Sequence, residues 1–503
     1  MKFTELADYP IPGGIVTEWT PTTVGDPSGW TDDPRPLSPD HEASCREWRQ
    51  RNSSGSTEPN WLGGVFEIAD RYQPEMMRQT LRKWIARHDA FLTTAVDGAA
   101  PHRAQPIRRR TYRGTALDVV GEVLGHIDDG HTLAAHLTSV FDNTLSPLDW
   151  PHCRVATITP LSPVDDDSGF LVVFAADHVA LDAYSILLAV NEIQTLYAAE
   201  VGGYEAGLPP TGSHIDFSVS ATEWAAAIGP GHPSVDAWRG LLDPTLAGSP
   251  APDLPTRFPE FGIPLRRPRL ESADEMVATQ RGYSEFIADG DQSDLLDRHC
   301  RAAGFSTQTA VLAAIAIAHR EVTHAPTLRL TMPWHTRHQP ELIESIGWYV
   351  GLGPLTLDLG SAQTLADVLH LTRDQLRVAR VHSRHPHRRI LELLDTHDSP
   401  KFVASYLDVR AVPGAAHWPQ RRVQTIRGAS RSDSEVYLWI ARVPTGMTLS
   451  CRHPDSELAS EIISRFIATT VAVLRVLWTA GVDLPLSAYL DPTLTPADTS
   501  RPA

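Results

Sequence analysis

Apolar positions first fall into helical spacing over residues 74–91. Met77, Leu81, Trp84 and Ile85 follow at steps of four, three and one and predict an amphipathic helix with one core face. The phrase that ends it, RHDAFLTT (87–94), turns strand-like. Phe170 to Ala176 form an unbroken apolar run whose length suits a strand buried on both faces. Behind it Ile186, Val190, Ile193 and Tyr197 return to helical spacing, and Gly202-Gly203 closes that helix. Further on, residues 294–323 read as two helices, 328–332 and 348–357 as strands, and 364–381 and 460–477 as helices. The first 60 residues, rich in Pro, Gly, Ser and Thr, show no sustained period and read as a wrap over a surface. Residues 202–214 (GGYEAGLPPTGSH) form the best linker, and the proline-rich stretch 242–269 reads as a crossover or surface excursion. The result is two halves of mixed α/β content without an internal repeat.

Composition narrows the function classes. A chain of 503 residues predicts about two to four domains, and its 42% apolar share can fill substantial cores. A net charge of −17 argues against broad nucleic-acid or anionic-membrane binding, which needs a basic face. Cys45, Cys153, Cys300 and Cys451 stand far apart with no C-x-x-C pair, the pattern of a reduced, cytoplasmic protein. The N-terminus lacks the apolar core of a signal peptide, and the apolar run Ala310–Ala318 is half of what a membrane span needs. Nucleophile-elbow, phosphate-loop and dinucleotide fingerprints are missing. The histidine cluster HSRHPHRR (382–389) interleaves arginines that would repel a cation, so it reads as a solvated or anion-facing loop and no metal site is expected.

One stretch carries candidate chemistry. In FAADHVALDAYS (174–185) a histidine and two aspartates stand where the buried strand hands over to a helix. Charges there are costly unless paired or used. Asp182 could cap the helix with His178 a satisfied strand-end histidine. The two could be a metal pair. Or His178 could be a general base, a task its ordinary pKa of about 6.5 suits. Spacing alone leaves all three open.

The stretch resembles the H-H-x-x-x-D-G motif of the condensation-domain superfamily, which shares the fold of chloramphenicol acetyltransferase. Further similarity runs in order along the chain: LRKWIARHDAFLTTA (81–95), SPLDWPHCRV (146–155), HIDFSVSATEW (214–224) and SVDAWRGLL (234–242). In the second half, MPWHTRHQPELIESIGWYVGLGPLTLDL (332–359), FVASYLDVRAVPGA (402–415) and SEVYLWIARVPTGMTLSCRHPD (434–455) look most like the polyketide-associated acyltransferases of actinobacteria. The D-F-G-W-G phrase of peptide-forming members is absent.

The resemblance implies a two-lobed chloramphenicol-acetyltransferase-like α/β fold, each lobe an α/β sandwich, V-shaped with a central channel. Residues 1–205 would form the N-terminal lobe carrying DHVALD, and 206–503 the C-terminal lobe with crossover elements. It implies a stand-alone acyltransferase that takes an acyl group from a phosphopantetheine thioester, on coenzyme A or an acyl carrier protein, to a hydroxyl of a lipid, sugar or polyketide. No bound cofactor is implied. His178 would be the general base, and Asp182 with Arg337 a structural pair supporting the site. Asp177, Ala183 and Ser185 would be possible substrate or oxyanion contacts. Two positions depart from the motif: Asp177 replaces the first histidine and Ala183 the glycine. They leave room for a degenerate or repurposed member, beside the other alternative of an amide-forming condensation enzyme. Expected partners are a carrier protein or a polyketide or peptide synthase and a small-molecule acceptor. A monomer with neither nucleic acid nor a membrane span is expected. Arg108-Arg109-Arg110, Arg266-Arg267-Arg269 and Arg388-Arg389 are candidate docking patches for an acidic carrier.

Overall fold

A computed structural model describes residues 2–53, 59–97, 107–160, 169–243, 257–265, 277–396 and 398–490. The chain divides into two compact units. The first comprises residues 1–228 together with 335–350 and 411–430; the second comprises 229–334, 351–410 and 431–503.

Strands are numbered in chain order. The first unit holds a seven-stranded sheet of β1 (Phe3–Glu5), β2 (Gly14–Thr22), β4 (Trp61–Ile68), β7 (Asp118–Ile127), β8 (Cys153–Thr159), β9 (Phe170–Asp177) and β14 (Gln424–Arg427). Their order is β1-β14-β4-β9-β8-β2-β7. A small sheet orders β3 (Trp30–Asp33), β6 (Ile107–Tyr112) and β5 (Thr93–Asp97) as β3-β6-β5. The second unit is built on β10 (Gln280–Asp289), β11 (Thr327–His335), β12 (Val350–Asp358), β13 (Phe402–Asp408), β15 (Val436–Val443) and β16 (Gly446–Pro454), in the order β10-β16-β15-β13-β11-β12.

β9 is central, and every residue of it is buried. It pairs antiparallel with β4 on one side and β8 on the other, so its backbone is satisfied within the sheet. Leu171, Val172, Val173 and Phe174 are nearly inaccessible, each contributing about 1.5–3 kcal/mol by burial. Helix Pro74–Arg87 buries the four apolar residues whose spacing predicts it and packs on helix Ala183–Gly202. The latter ends at Gly203, whose φ of 68° is the left-handed conformation a helix stop favours.

The first 60 residues differ from expectation. Instead of a wrap they supply three strands and helix Pro39–Ser53. β2 lies between β7 and β8 and buries alternate positions along much of its length. Its partners lie at residues 118–127 and 155–159, so composition around β2 itself carries little trace of the pairing. Of the proline-rich stretch 242–269, residues 244–256 and 266–269 fall outside the described residues. Among the described residues one helix, Glu457–Thr479, is long and apolar enough to cross a membrane by length and composition. Ile463, Phe466, Ile467, Val473, Leu474 and Leu477 on it are buried in the core of the second unit.

Candidate functional site

The end of β9 is held rigidly by its own backbone. The N–H of Asp177 donates to His152 O, the N–H of His178 to Asn60 O, and the N–H of Ala180 turns back to Asp177 O. This tight turn brings the Leu181 carbonyl within 2.9 Å of His178 Nδ1. A carbonyl only accepts, so Nδ1 carries the hydrogen and the lone pair of the neutral ring lies on Nε2. The half-buried imidazole meets the Trp348 ring edge-to-face, with centroids 4.4 Å apart.

Asp182 caps helix Ala183–Gly202 through Oδ1, which accepts the Ser185 N–H at 2.8 Å. The same carboxylate receives Arg337 as a fork, Nη1 to Oδ2 at 2.8 Å and Nη2 to Oδ1 at 3.1 Å, and the Tyr349 N–H at 3.0 Å. Burial pushes its pKa up. The Arg337 charge and the hydrogen bonds from Arg337 and Ser185 together outweigh this and hold it below the usual carboxylate value. The guanidinium lies over Tyr349 at 4.4 Å and Tyr184 at 5.1 Å. The Ser185 hydroxyl accepts from Arg337 Nη2 at 2.7 Å and from the Gly347 N–H at 3.2 Å, and donates to Gly347 O at 3.0 Å. Its donor and both acceptor positions are engaged, which makes it a brace for segment 345–349. Ala183 opens the helix half-buried.

Asp177 is fully buried, and its Oδ1 accepts the Val179 N–H at 3.0 Å. Desolvation raises its pKa to about 7, against the lowering effects of the Val179 N–H and Arg51. Its charge is felt by Cys45 on helix Pro39–Ser53. The structure thus joins Asp182, Ser185 and Arg337 in one hydrogen-bonded cluster, sets His178 beside it through Leu181 O and the Trp348 ring, and engages Asp177 on the Val179 N–H.

A second layer escaped the sequence reading. His88 Nδ1 accepts the Ile346 N–H at 3.3 Å, which leaves Nε2–H to donate to Glu192 Oε2 at 2.6 Å. Arg87 Nε reaches the other oxygen, Oε1, at 2.8 Å. Asp89 accepts from Ser213 Oγ and from the His214 N–H, and His214 Nε2 donates to Trp348 O at 3.2 Å. Burial pushes the His214 pKa down to about 4, so the ring stays neutral. The consecutive Arg87-His88-Asp89 therefore anchor both flanks of Trp348. Three ionisable residues in a row at a helix end were the available signal.

The candidate docking arginines behave differently from one another. Arg109 is buried and bonds Arg35 O, Pro36 O and Thr93 Oγ1, a strut that no partner can reach. Arg110 donates to Trp30 O, and Arg108 lies 3.7 Å from Asp32. Arg389 pairs with Glu392, Arg388 is half-buried, and Arg266, Arg267 and Arg269 lie outside the described residues. Within 382–389, His385 packs on His232 at 4.5 Å, His382 Nδ1 meets Ser234 Oγ at 3.0 Å and His387 is buried, so this stretch is only partly solvated.

Comparison with known proteins places this geometry in context. The family model of the condensation domain matches residues 52–408. Acyltransferase PapA3 of Mycobacterium tuberculosis is 26% identical over 357 residues, covering 69% of this chain and 71% of its own. Trehalose-2-sulfate acyltransferase PapA2 of the same organism is 24% identical over 493 residues, covering 94% and 96%. A solved PapA2 acyl transferase superposes with a TM-score of 0.75 at 21% identity over 94% of this chain and 99% of that one. The condensation domain of the monacolin K polyketide synthase MokA gives 0.68 at 17% identity over 90% and 98%. These likenesses show a chloramphenicol-acetyltransferase-like α/β fold, as the motifs imply.

Proposed function

The chain belongs to the condensation-domain family and is an acyltransferase, and from that premise we propose that it esterifies a hydroxyl with an acyl group carried as a phosphopantetheine thioester, with His178 as general base. The observation that carries the assignment is the Nδ1–H bond of His178 to Leu181 O, which puts the basic lone pair on Nε2. The acceptor hydroxyl gives its proton to Nε2 as its oxygen attacks the thioester carbonyl. The tetrahedral intermediate then expels the thiolate, which takes the proton back from the imidazolium. A thioester is already activated, so the protein's work is alignment and one proton transfer, the latter a factor of about 10² to 10⁴.

Asp182 and Arg337 act one step removed. They fix the start of helix Ala183–Gly202 and the Tyr349 backbone, and so the turn that presents His178. The name of the relative PapA2, a trehalose-2-sulfate acyltransferase, supports a sugar-based acceptor and, since that sugar offers hydroxyls and no amine, an ester product. The donor is coenzyme A or an acyl carrier protein, and a polyketide or peptide synthase is the partner class this implies.

The test incubates purified protein with hexadecanoyl-coenzyme A and hexadecanoyl-carrier protein against trehalose, trehalose 2-sulfate, long-chain alcohols and amines. Mass spectrometry reads acylated product. An ester whose formation rate drops at least about 10²-fold in His178→Ala supports the reading. Equal rates in both proteins remove His178 from the reaction, and an amide product replaces the hydroxyl acceptor with an amine.

A further inference from the structure

The Trp348 ring meets the imidazole of His178 edge-to-face, and its polar atom is unusual. Indole Nε1 is buried with no hydrogen-bond partner among the described residues. A buried N–H without a partner is unfavourable in a folded protein and calls for an explanation. Trp84 and Trp238 share the deficit, but both are wholly buried. Trp348 instead lies partly exposed at 4.4 Å from the base.

The backbone on both sides of this ring is over-determined. Gly347 is bonded through both its N–H and its C=O to Ser185 Oγ, the Trp348 carbonyl accepts from His214, and the Tyr349 N–H is fixed on Asp182. Gly347 cannot carry a side chain, since an added Cβ would lie 2.4 Å from His214 Cδ2. So many constraints on one aromatic beside the base fit a residue that must be placed, and they leave only its side-chain torsions to move.

Resting on the acyl-transfer reading above, we propose that the Trp348 indole N–H donates to the reacting carbonyl oxygen and stabilises its negative charge as the tetrahedral intermediate forms. In that step the acceptor oxygen bonds to the carbonyl carbon and its proton passes to His178 Nε2. The carbonyl π pair moves onto oxygen, where the indole N–H receives it. Collapse restores the C=O bond, breaks the C–S bond and returns the proton from the imidazolium to the thiolate. Ser185 is engaged elsewhere by all its hydrogen-bonding positions, so it does not compete for this oxygen. Presenting the N–H takes a change in the Trp348 side-chain torsions, the freedom that the fixed backbone leaves it.

Trp348→Phe keeps an apolar ring against His178 and deletes the donor. Steady-state kinetics with hexadecanoyl-coenzyme A and an acceptor the wild type uses should show kcat lower by about 10²-fold, with KM for both substrates within about threefold and the pH midpoint unmoved. A kcat within about threefold of wild type overturns the assignment. So does a displaced pH midpoint, which would make the ring a support for His178. A second measurement decides even where no acceptor is turned over. The indole ¹⁵N–¹H resonance of Trp348, identified by its absence in Trp348→Phe, should move downfield on saturation with hexadecanoyl-coenzyme A. A resonance that stays in place overturns the proposal. Full activity in His178→Ala would refute the base and leave the Trp348 result standing on its own.

Discussion

Two aspartates five residues apart are driven in opposite directions by their surroundings. Asp177 has a pKa raised to about 7, against 3.8 ordinarily, because burial disfavours its charge. Between pH 4 and 7 the folded state therefore binds more protons than the unfolded one, and stability falls as pH rises through that window. Asp177→Asn keeps an oxygen for the Val179 N–H and cannot ionise. Its stability relative to wild type should climb from about pH 4 to pH 7 and level off above, by of the order of 4 kcal/mol. Urea melts at several pH values read this, and a difference independent of pH contradicts it. Asp182 is the reverse case: held low, it stabilises at neutral pH and loses that contribution as pH falls below the ordinary carboxylate value. Arg337→Lys replaces a fork that serves both Asp182 oxygens and Ser185 by one point charge, so a loss of roughly 2–4 kcal/mol is expected in the same melts. The residue types of this site were legible in the sequence, since only a few side chains do such chemistry. The bond that sets the His178 tautomer was not: its acceptor is a main-chain carbonyl, which every residue possesses.

Among the elements, long helices and the buried strand were readable because their signal is internal. Thr364 caps helix Leu365–His382 and exchanges bonds with Asp367, a pattern written in four consecutive letters. β2, β4 and β14 were not readable, because a strand is defined by neighbours that arrive from elsewhere in the chain. β4 shows what the neighbour demands. A Cβ on Gly63 would lie 1.9 Å from Phe174 O, and one on Gly64 would lie 2.7 Å from the Phe174 ring. The two glycines let β4 approach β9 at the level of the Phe174 side chain. Gly63→Ala should therefore abolish the soluble native protein or lower its melting temperature by many degrees, whereas Gly240→Ala, which meets nothing within 4 Å, should leave it close to wild type. Thermal melts of the two side by side check this; equal behaviour contradicts the close approach.

At the scale of the molecule, the first unit is not a contiguous stretch of chain. Residues 335–350 bring Arg337, Gly347, Trp348 and Tyr349, and residues 411–430 bring β14, which lies between β1 and β4. A fragment of residues 1–228 would leave Asp182 buried without its cation and β1 without a neighbour. It should show no cooperative unfolding transition, and circular dichroism during a urea titration measures that. A sigmoidal transition with full-length slope would refute it. The same arrangement sets a clock on biosynthesis. Many multidomain chains complete their N-terminal domain while the rest is still being translated. Here the sheet that carries His178 has to wait until Arg427 has left the ribosome, because β14 ends there. Nascent chains therefore hold half-closed sheet edges until that point, an interval in which chaperones can engage them. The strand-end turn that carries His178 thus gains its complete sheet only after residues 424–427 have been made.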